Sequence, residues 1–308
     1  MIIKKVKLSD IKNENKFLLS YPLRPELYQN WENSFLDVPK IAVNQKNEIL
    51  FGADFYHYCK IQKKPREIDA MQGDFPDKEA LLLGYNLKDK FYGFNLYEKL
   101  IFVKKFKHFY FLARPADADG SRGWISEIYE RTGLDIKIND ELLTQLETLT
   151  GNEFLKILSA DRIALKAALK LCGFTSQDRK FFFLLFARAA FSTSHQLKIL
   201  ELMEEIMFRD KTSCAAVFEK LNIKDCFDSR NPREIIVEKI FKYRFPEYSQ
   251  KEQEWQKKIK KLKLPANVKL FHYPFFEKRQ VDVHISLPDP QGINRIIKNL
   301  EQKGDRQS

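Results

Sequence analysis

The spacing of apolar residues changes along this chain, and that change limits its possible folds more than any single motif does. Up to about residue 75, apolar residues come in short runs of strand length separated by turn residues. From Asp77 onward they recur every three or four positions, the spacing of an amphipathic helix. In the first part, Ile2–Val6 reads as a strand and Leu27–Phe35 as a short helix. Lys40–Val43 and Glu48–Phe51 read as a hairpin around the polar tetrad Asn44–Asn47. Gly52 ends that hairpin and opens a helical stretch, Asp54–Gln62, with a further strand at Ile68–Gln72.

The helical part starts behind the cap signal Pro76-Asp77-Lys78-Glu79. It continues through Leu96–Phe106, Trp124–Thr132, Asp140–Leu149, Ser159–Leu171, Ser176–Phe191 and Ser194–Phe208. The stretch Arg114–Gly120 interrupts the pattern and marks a boundary. A third region opens at Asn231-Pro232 with a helix over Pro232–Phe241, broken at Arg244-Phe245-Pro246. A basic helix follows at Lys251–Lys263, then paired strands at Val268–Phe271 and Val281–Leu287, and a closing helix at Pro290–Leu300. The expectation is an α+β fold in three parts: a small mixed α/β domain over 1–113, a helical domain over 121–230, and a helix with a β-hairpin over 231–302.

At 308 residues, with 44% hydrophobic and 31% charged, the chain is long enough for several domains and too apolar for disorder. It has no uncharged apolar run near the roughly 18–20 residues of a membrane helix, and its first residues lack the apolar block of a secretion signal. Cys59, Cys172, Cys214 and Cys226 stand singly, as in a reducing compartment, so the cytoplasm is the expected location. The net charge of +11, from 53 Lys and Arg against 42 Asp and Glu, favours polyanionic partners.

Most catalytic signatures are missing. His57, His108, His195, His272 and His284 have no metal-ligand spacing among themselves or with the cysteines. Neither a Gly-x-Ser-x-Gly turn, a P-loop nor a dinucleotide glycine triplet occurs. Glu204 and Glu205 lie beside lysines, as solvated surface carboxylates do. Two features remain near Gly52. A helix beginning after a glycine turn presents free backbone N–H groups that suit a phosphate, although by itself one glycine reads first as an ordinary strand-to-helix turn. Asp54 and His57, three apart, can share a helix face as an acid–base pair.

The order of these pieces resembles a known family. Val6-Lys7-Leu8-Ser9-Asp10-Ile11, Pro39-Lys40-Ile41-Ala42-Val43 and Ile49-Leu50-Phe51-Gly52 come first. Glu79-Ala80-Leu81-Leu82-Leu83, Tyr85-Asn86-Leu87-Lys88-Asp89 and Asn95-Leu96-Tyr97-Glu98-Lys99 follow. Together they resemble the N-terminal domain of ParB-type partition proteins, a fold shared with sulfiredoxin, over about 1–110. The resemblance implies a CTP site with magnesium at Gly52, Asp54, Phe55 and Asn86, and chromosome or plasmid partition as the process served. Where that family has Glu-Arg-Arg after the glycine, this chain has Ala53, Asp54 and Phe55; Tyr85 and Asp89 replace a glutamate and an arginine flanking Asn86. Triphosphates carry several negative charges that arginines usually offset, so the site reads as eroded. Sulfiredoxin chemistry would need a cysteine in the turn, and Cys59 lies further on. Phe55, Tyr56, Tyr58 and Tyr85 either form a stacking surface or fill the space of the lost ligand.

The family's DNA-reading helix-turn-helix corresponds to Trp124–Thr132, the turn Gly133-Leu134-Asp135, and a helix from about Asn139. That second helix starts with Asp140 and Glu141 and stripes Leu142, Leu143, Leu146 and Leu149, leaving Asn139, Thr144 and Gln145 to read a base. Lys257, Lys258, Lys260 and Lys261 crowd a helix whose other face holds Trp255, Ile259 and Leu262. They are the candidate DNA-binding residues, acting on backbone phosphates; a solvated face and an anionic membrane surface are the other readings. The sequence thus points to a ParB-like nucleic-acid-associated protein. A protein-interaction scaffold, a homodimer through the C-terminal hairpin, or a nucleotide-using enzyme of the ParB CTPase kind are the alternatives.

Overall fold

The computed structural model describes residues 2–14, 16–25, 41–113, 123–278, 280–287 and 292–293. The fold is mixed α and β, and the chain divides into two compact units, Met1–Arg233 and Glu234–Ser308.

The first unit opens with a four-stranded sheet made of β1 (Ile2–Lys7), β2 (Ala42–Asn44), β3 (Ile49–Phe51) and β4 (Glu67–Gly73), in the order β1-β4-β2-β3. β1 runs antiparallel to β4, with Ile2 opposite Gln72 and Lys7 opposite Glu67. β4 is parallel to β2, and β2 antiparallel to β3. As an outer strand, β1 leaves Ile2 and Ile3 65% and 73% exposed. The β2–β3 hairpin forms because Asn44 Oδ1 accepts from the backbone N–H groups of Lys46 and Glu48, both at 2.9 Å.

Gly52 then turns the chain into α1 (Ala53–Gln62) with φ at 87°, in the left-handed region where glycine carries no steric penalty. α1 presses Phe55, Tyr56 and Cys59 against Val6, Ile41, Val43, Ile49, Ile68 and Ala70. β4 shows the alternation of a sheet with one covered face: Ile68 and Ala70 are buried, while Glu67 and Asp69 are exposed. α2 (Asp77–Phe91) crosses β3 so closely that a Cβ at Gly84 would collide with the Leu50 carbonyl oxygen.

α3 (Leu96–Leu112) begins with a reciprocal cap: Asn95 Oδ1 accepts from Glu98 N–H at 2.9 Å, and Glu98 Oε2 accepts from Asn95 N–H at 3.1 Å. It packs on α2 and also on α5 (Asp140–Leu149) and α6 (Asn152–Ser159). That double packing is why the expected break at Arg114–Gly120 falls inside one compact unit. α4 (Gly123–Thr132), α7 (Leu165–Leu171), α8 (Ser176–Arg188), α9 (Thr193–Asp210) and α10 (Cys214–Lys220) complete the bundle.

Two local expectations differ from this structure. The helix expected over Ser159–Leu171 is confined to α7, Leu165–Leu171; Ser159 ends α6, a helix the sequence reading did not place, and the two are joined by a turn in which Asp161 has φ at 49°. Gln196, 3% exposed, holds that turn open: its Oε1 accepts from Ala164 N–H at 2.9 Å and its Nε2 donates to the carbonyls of Arg162 and Phe191 at 3.0 and 3.1 Å. Seven-residue α10, capped by Ser213, is too short for a periodic signal.

The second unit is entered through α11 (Pro232–Arg244). α12 (Pro246–Lys261) follows, with Pro246 in its first turn, and then the antiparallel pair β5 (Val268–His272) and β6 (Val281–Ile285). Ile236 and Ile240 of α11 are fully buried, and a partly buried aromatic cluster lies beside α12: Tyr248 is 5.0 Å from Phe275, and His272 stacks on Phe276 at 3.8 Å. The expected helix at Leu27–Phe35 lies outside the described residues, and that at Pro290–Leu300 almost wholly so.

Gly84→Ala is expected to lower stability by about 1–3 kcal/mol through overpacking, read as a lower urea midpoint at unchanged slope. A second expectation concerns α6 and α8. Arg179 donates to Glu153 Oε2 at 2.9 and 3.2 Å and holds that carboxyl below the usual glutamate range. Its stabilising effect is therefore full above the ordinary glutamate range and is lost as pH falls through the depressed value. Glu153→Gln should unfold at lower urea than the parent at pH 7, with the gap closing below about pH 4.

Candidate functional site

The start of α1 is where an anion would be drawn, because three backbone N–H groups and the positive end of the helix face outward there. The chain fills this position with its own charge. Asp54, 6% exposed in the first turn, accepts Ser20 Oγ–H on Oδ2 at 2.6 Å and Arg24 N–H on Oδ1 at 2.5 Å. Ser20 Oγ in turn accepts from Lys88 Nζ at 3.1 Å.

Lys88 reaches the site from the buried stripe of α2, one turn beyond Tyr85 and two beyond Leu81. Its ammonium also lies 3.1 Å from Glu98 Oε1, which Arg24 Nη2 approaches at 3.3 Å. Glu98 has no exposed surface, and the backbone N–H groups of Tyr21 and Asn95 donate to it at 2.9 and 3.1 Å. Two carboxylates and two cations are thus closed on one another. Burial raises the Glu98 carboxyl and lowers the Lys88 ammonium from their ordinary ranges, and their mutual attraction opposes both shifts.

Beside this network lies a cavity of about 20 Å3, bordered by Asn13, Ser20, Gly52, Asp54, Gly84 and Lys88 among others. That is room for about one water molecule. Of the four residues expected at a nucleotide site, Gly52 and Asp54 border this cavity. Phe55 is 2% exposed in the sheet–α1 core, and Asn86 lies exposed on α2, away from the stripe that carries Lys88. Tyr85 is 2% exposed, with its ring stacked 4.4 Å from Phe94 and 4.0 Å from Phe102, so it is core rather than a stacking surface. His57 does not pair with Asp54: its Nε2 lies 2.7 Å from Asn13 Nδ2, and burial lowers its basicity. Cys59 is fully buried.

The sequence reading missed Ser20, Arg24, Lys88 and Glu98. Two signals pointed to them: the Asn95-x-x-Glu98 capping pattern, and a lysine on the apolar stripe of α2. Ser20 and Arg24 come from a stretch without periodicity and carried no signal.

Where the resemblance implies a helix-turn-helix, Leu142, Leu146 and Leu149 of α5 are buried, while Asp140 and Glu141 stand exposed at its start. Asn139 caps the helix by accepting from Leu142 N–H at 2.9 Å, and Thr144 donates to the Asp140 carbonyl at 2.8 Å. Two of the three candidate base-reading side chains are thus bound to their own helix.

The second unit carries 16 Lys and Arg against 10 Asp and Glu, and so 6 of the 11 net positive charges of the chain. Lys257, Lys258, Lys260 and Lys261 of α12 are exposed, and none makes an ion pair among the described residues. Trp255 and Ile259 on the same helix are half-buried.

A comparison with known proteins finds no family model that matches the chain and no curated protein that matches its sequence. No described helix is long and apolar enough to cross a membrane, and among the described residues no group of three or more His, Cys, Asp or Glu side chains is placed to hold a metal ion.

Lys88→Met should cost about 3–5 kcal/mol by leaving the buried Glu98 with the more distant Arg24 as its remaining cation, whereas Lys88→Met with Glu98→Leu should recover most of the loss. Urea unfolding of the two single variants and the double variant, taken as a cycle, measures the coupling.

Proposed function

We propose that the chain is a ParB-like protein associated with nucleic acid, whose nucleotide site has been replaced by a buried ion network. Contact with DNA runs through backbone phosphates. Partition of a chromosome or plasmid is the process that the resemblance implies. The observation that carries the nucleic-acid reading is the set of four exposed lysines on α12 that have no ion-pair partner among the described residues. Cations in that state are free to displace the counterions of a polyanion.

The residues around Gly52 do not fit CTP with magnesium. Lys88 and Arg24 are the cations of the site, and both are held by Glu98. Arg24 Nε is one remaining buried donor without a partner among the described residues, against the roughly three to four negative charges of a triphosphate. Asp54 adds a carboxylate where the phosphates would lie. A second reading, a protein-interaction scaffold without DNA contact, draws on Phe111 and Leu112 at the end of α3, which are 46% and 67% exposed.

Fluorescence anisotropy with a labelled duplex separates the two. With four phosphate contacts, binding should weaken by about two orders of magnitude between 50 and 200 mM salt. Lys257→Glu, Lys258→Glu, Lys260→Glu and Lys261→Glu together should abolish it. Absence of duplex binding at low salt would favour the scaffold. Calorimetry with CTP, ATP and GTP plus magnesium should give no heat of binding; heat with any of them would overturn the account of the Gly52 site.

A further inference from the structure

Between α11 and α12 the second unit holds a groove of about 480 Å3. Phe241 and Tyr248, both half-buried, line it, with ring centroids 5.7 Å apart and planes 84° apart. Gln253, Gln256, Lys257 and Lys260 also line it. The groove also contains Glu238, Lys242 and Glu252, and these are engaged: Lys242 pairs with Glu238 at 2.5 Å. Glu252 accepts from the Gln256 amide at 2.9 Å and lies 2.5 Å from His272 Nε2. Among the described residues, the cations of the groove left without an ion pair are Lys257 and Lys260.

Flat rings, amides and cations without an ion pair among the described residues match the three parts of a nucleotide: the base face, the base edge and the phosphate. A duplex hides its base faces inside the stack, so only an unpaired strand can use the rings. Lys258 and Lys261, on the same helix, are not part of the groove lining.

We propose that this groove binds single-stranded nucleic acid, with a base against Phe241 or Tyr248 and the flanking phosphates on Lys257 and Lys260. The proposal rests on the nucleic-acid reading above and deepens it, because it divides four similar lysines into two that form a site and two that do not.

The experiment titrates the full chain with labelled oligonucleotides of one sequence, single-stranded and as duplex, in DNA and RNA forms that distinguish the two sources of the strand. The single strand should bind about tenfold more tightly than the duplex. Lys257→Glu/Lys260→Glu should cost about tenfold more single-strand affinity than Lys258→Glu/Lys261→Glu, although each changes the net charge equally. Phe241→Leu, which keeps an apolar side chain and removes the ring, should weaken the single strand and leave the duplex unchanged. Equal losses from the two lysine pairs, or a duplex bound as tightly as the single strand, would overturn the groove while leaving the nucleic-acid reading in place. No binding of either form at low salt would overturn both.

Discussion

Glu98 has no surface open to solvent, and a buried carboxylate survives in a fold only if its charge is met from within. Much of the first unit is arranged to meet it. Lys88 arrives from α2, Arg24 from the segment after β1, two backbone N–H groups come from Tyr21 and Asn95, and Glu98 itself closes the cap of α3. The same lysine reaches Ser20, which donates to Asp54 at the start of α1. One connected set of polar contacts therefore ties α1, α2 and α3 to Ser20, Tyr21 and Arg24 in the segment between β1 and β2. Apolar packing alone would let these helices slide, whereas directional bonds to an enclosed charge fix their register.

The same arrangement explains why the pocket beside Gly52 is poorly suited to a polyphosphate. A nucleotide site needs cations that are held in place and still hold unspent charge. Here they are held in place by Glu98, and of their buried donors Arg24 Nε alone is left without a partner among the described residues. The glycine turn and the helix start persist because the sheet–helix junction needs them, independent of any ligand: Gly52 supplies a backbone angle, and α1 supplies the apolar cover of the sheet.

Much of the architecture was legible in the sequence because it rests on local signals. The β2–β3 hairpin follows from an asparagine that bonds its own turn, and most helices follow from apolar spacing with a capping residue. What was not legible rests on contacts distant in sequence. The turn between α6 and α7 is held by Gln196, more than thirty residues away, and no local pattern announces it. The Ser20–Asp54–Lys88–Glu98 network spans 78 positions from first to last member, so its residue types meant little until the fold brought them together. Asn86 illustrates the converse: it matched a family pattern by spacing, yet two positions along a helix turn a side chain to the opposite face.

The outer position of β1 bears on how the protein behaves when crowded. A strand with one unpaired edge is a template on which another chain can extend the sheet, and two exposed isoleucines at its start would reward such growth. Lys4, Lys5 and Lys7 lie on that same strand, so a second copy aligned along it would bring ammonium groups against ammonium groups. The edge stays open because like charges guard it, and a medium of high ionic strength, by screening them, relaxes that guard.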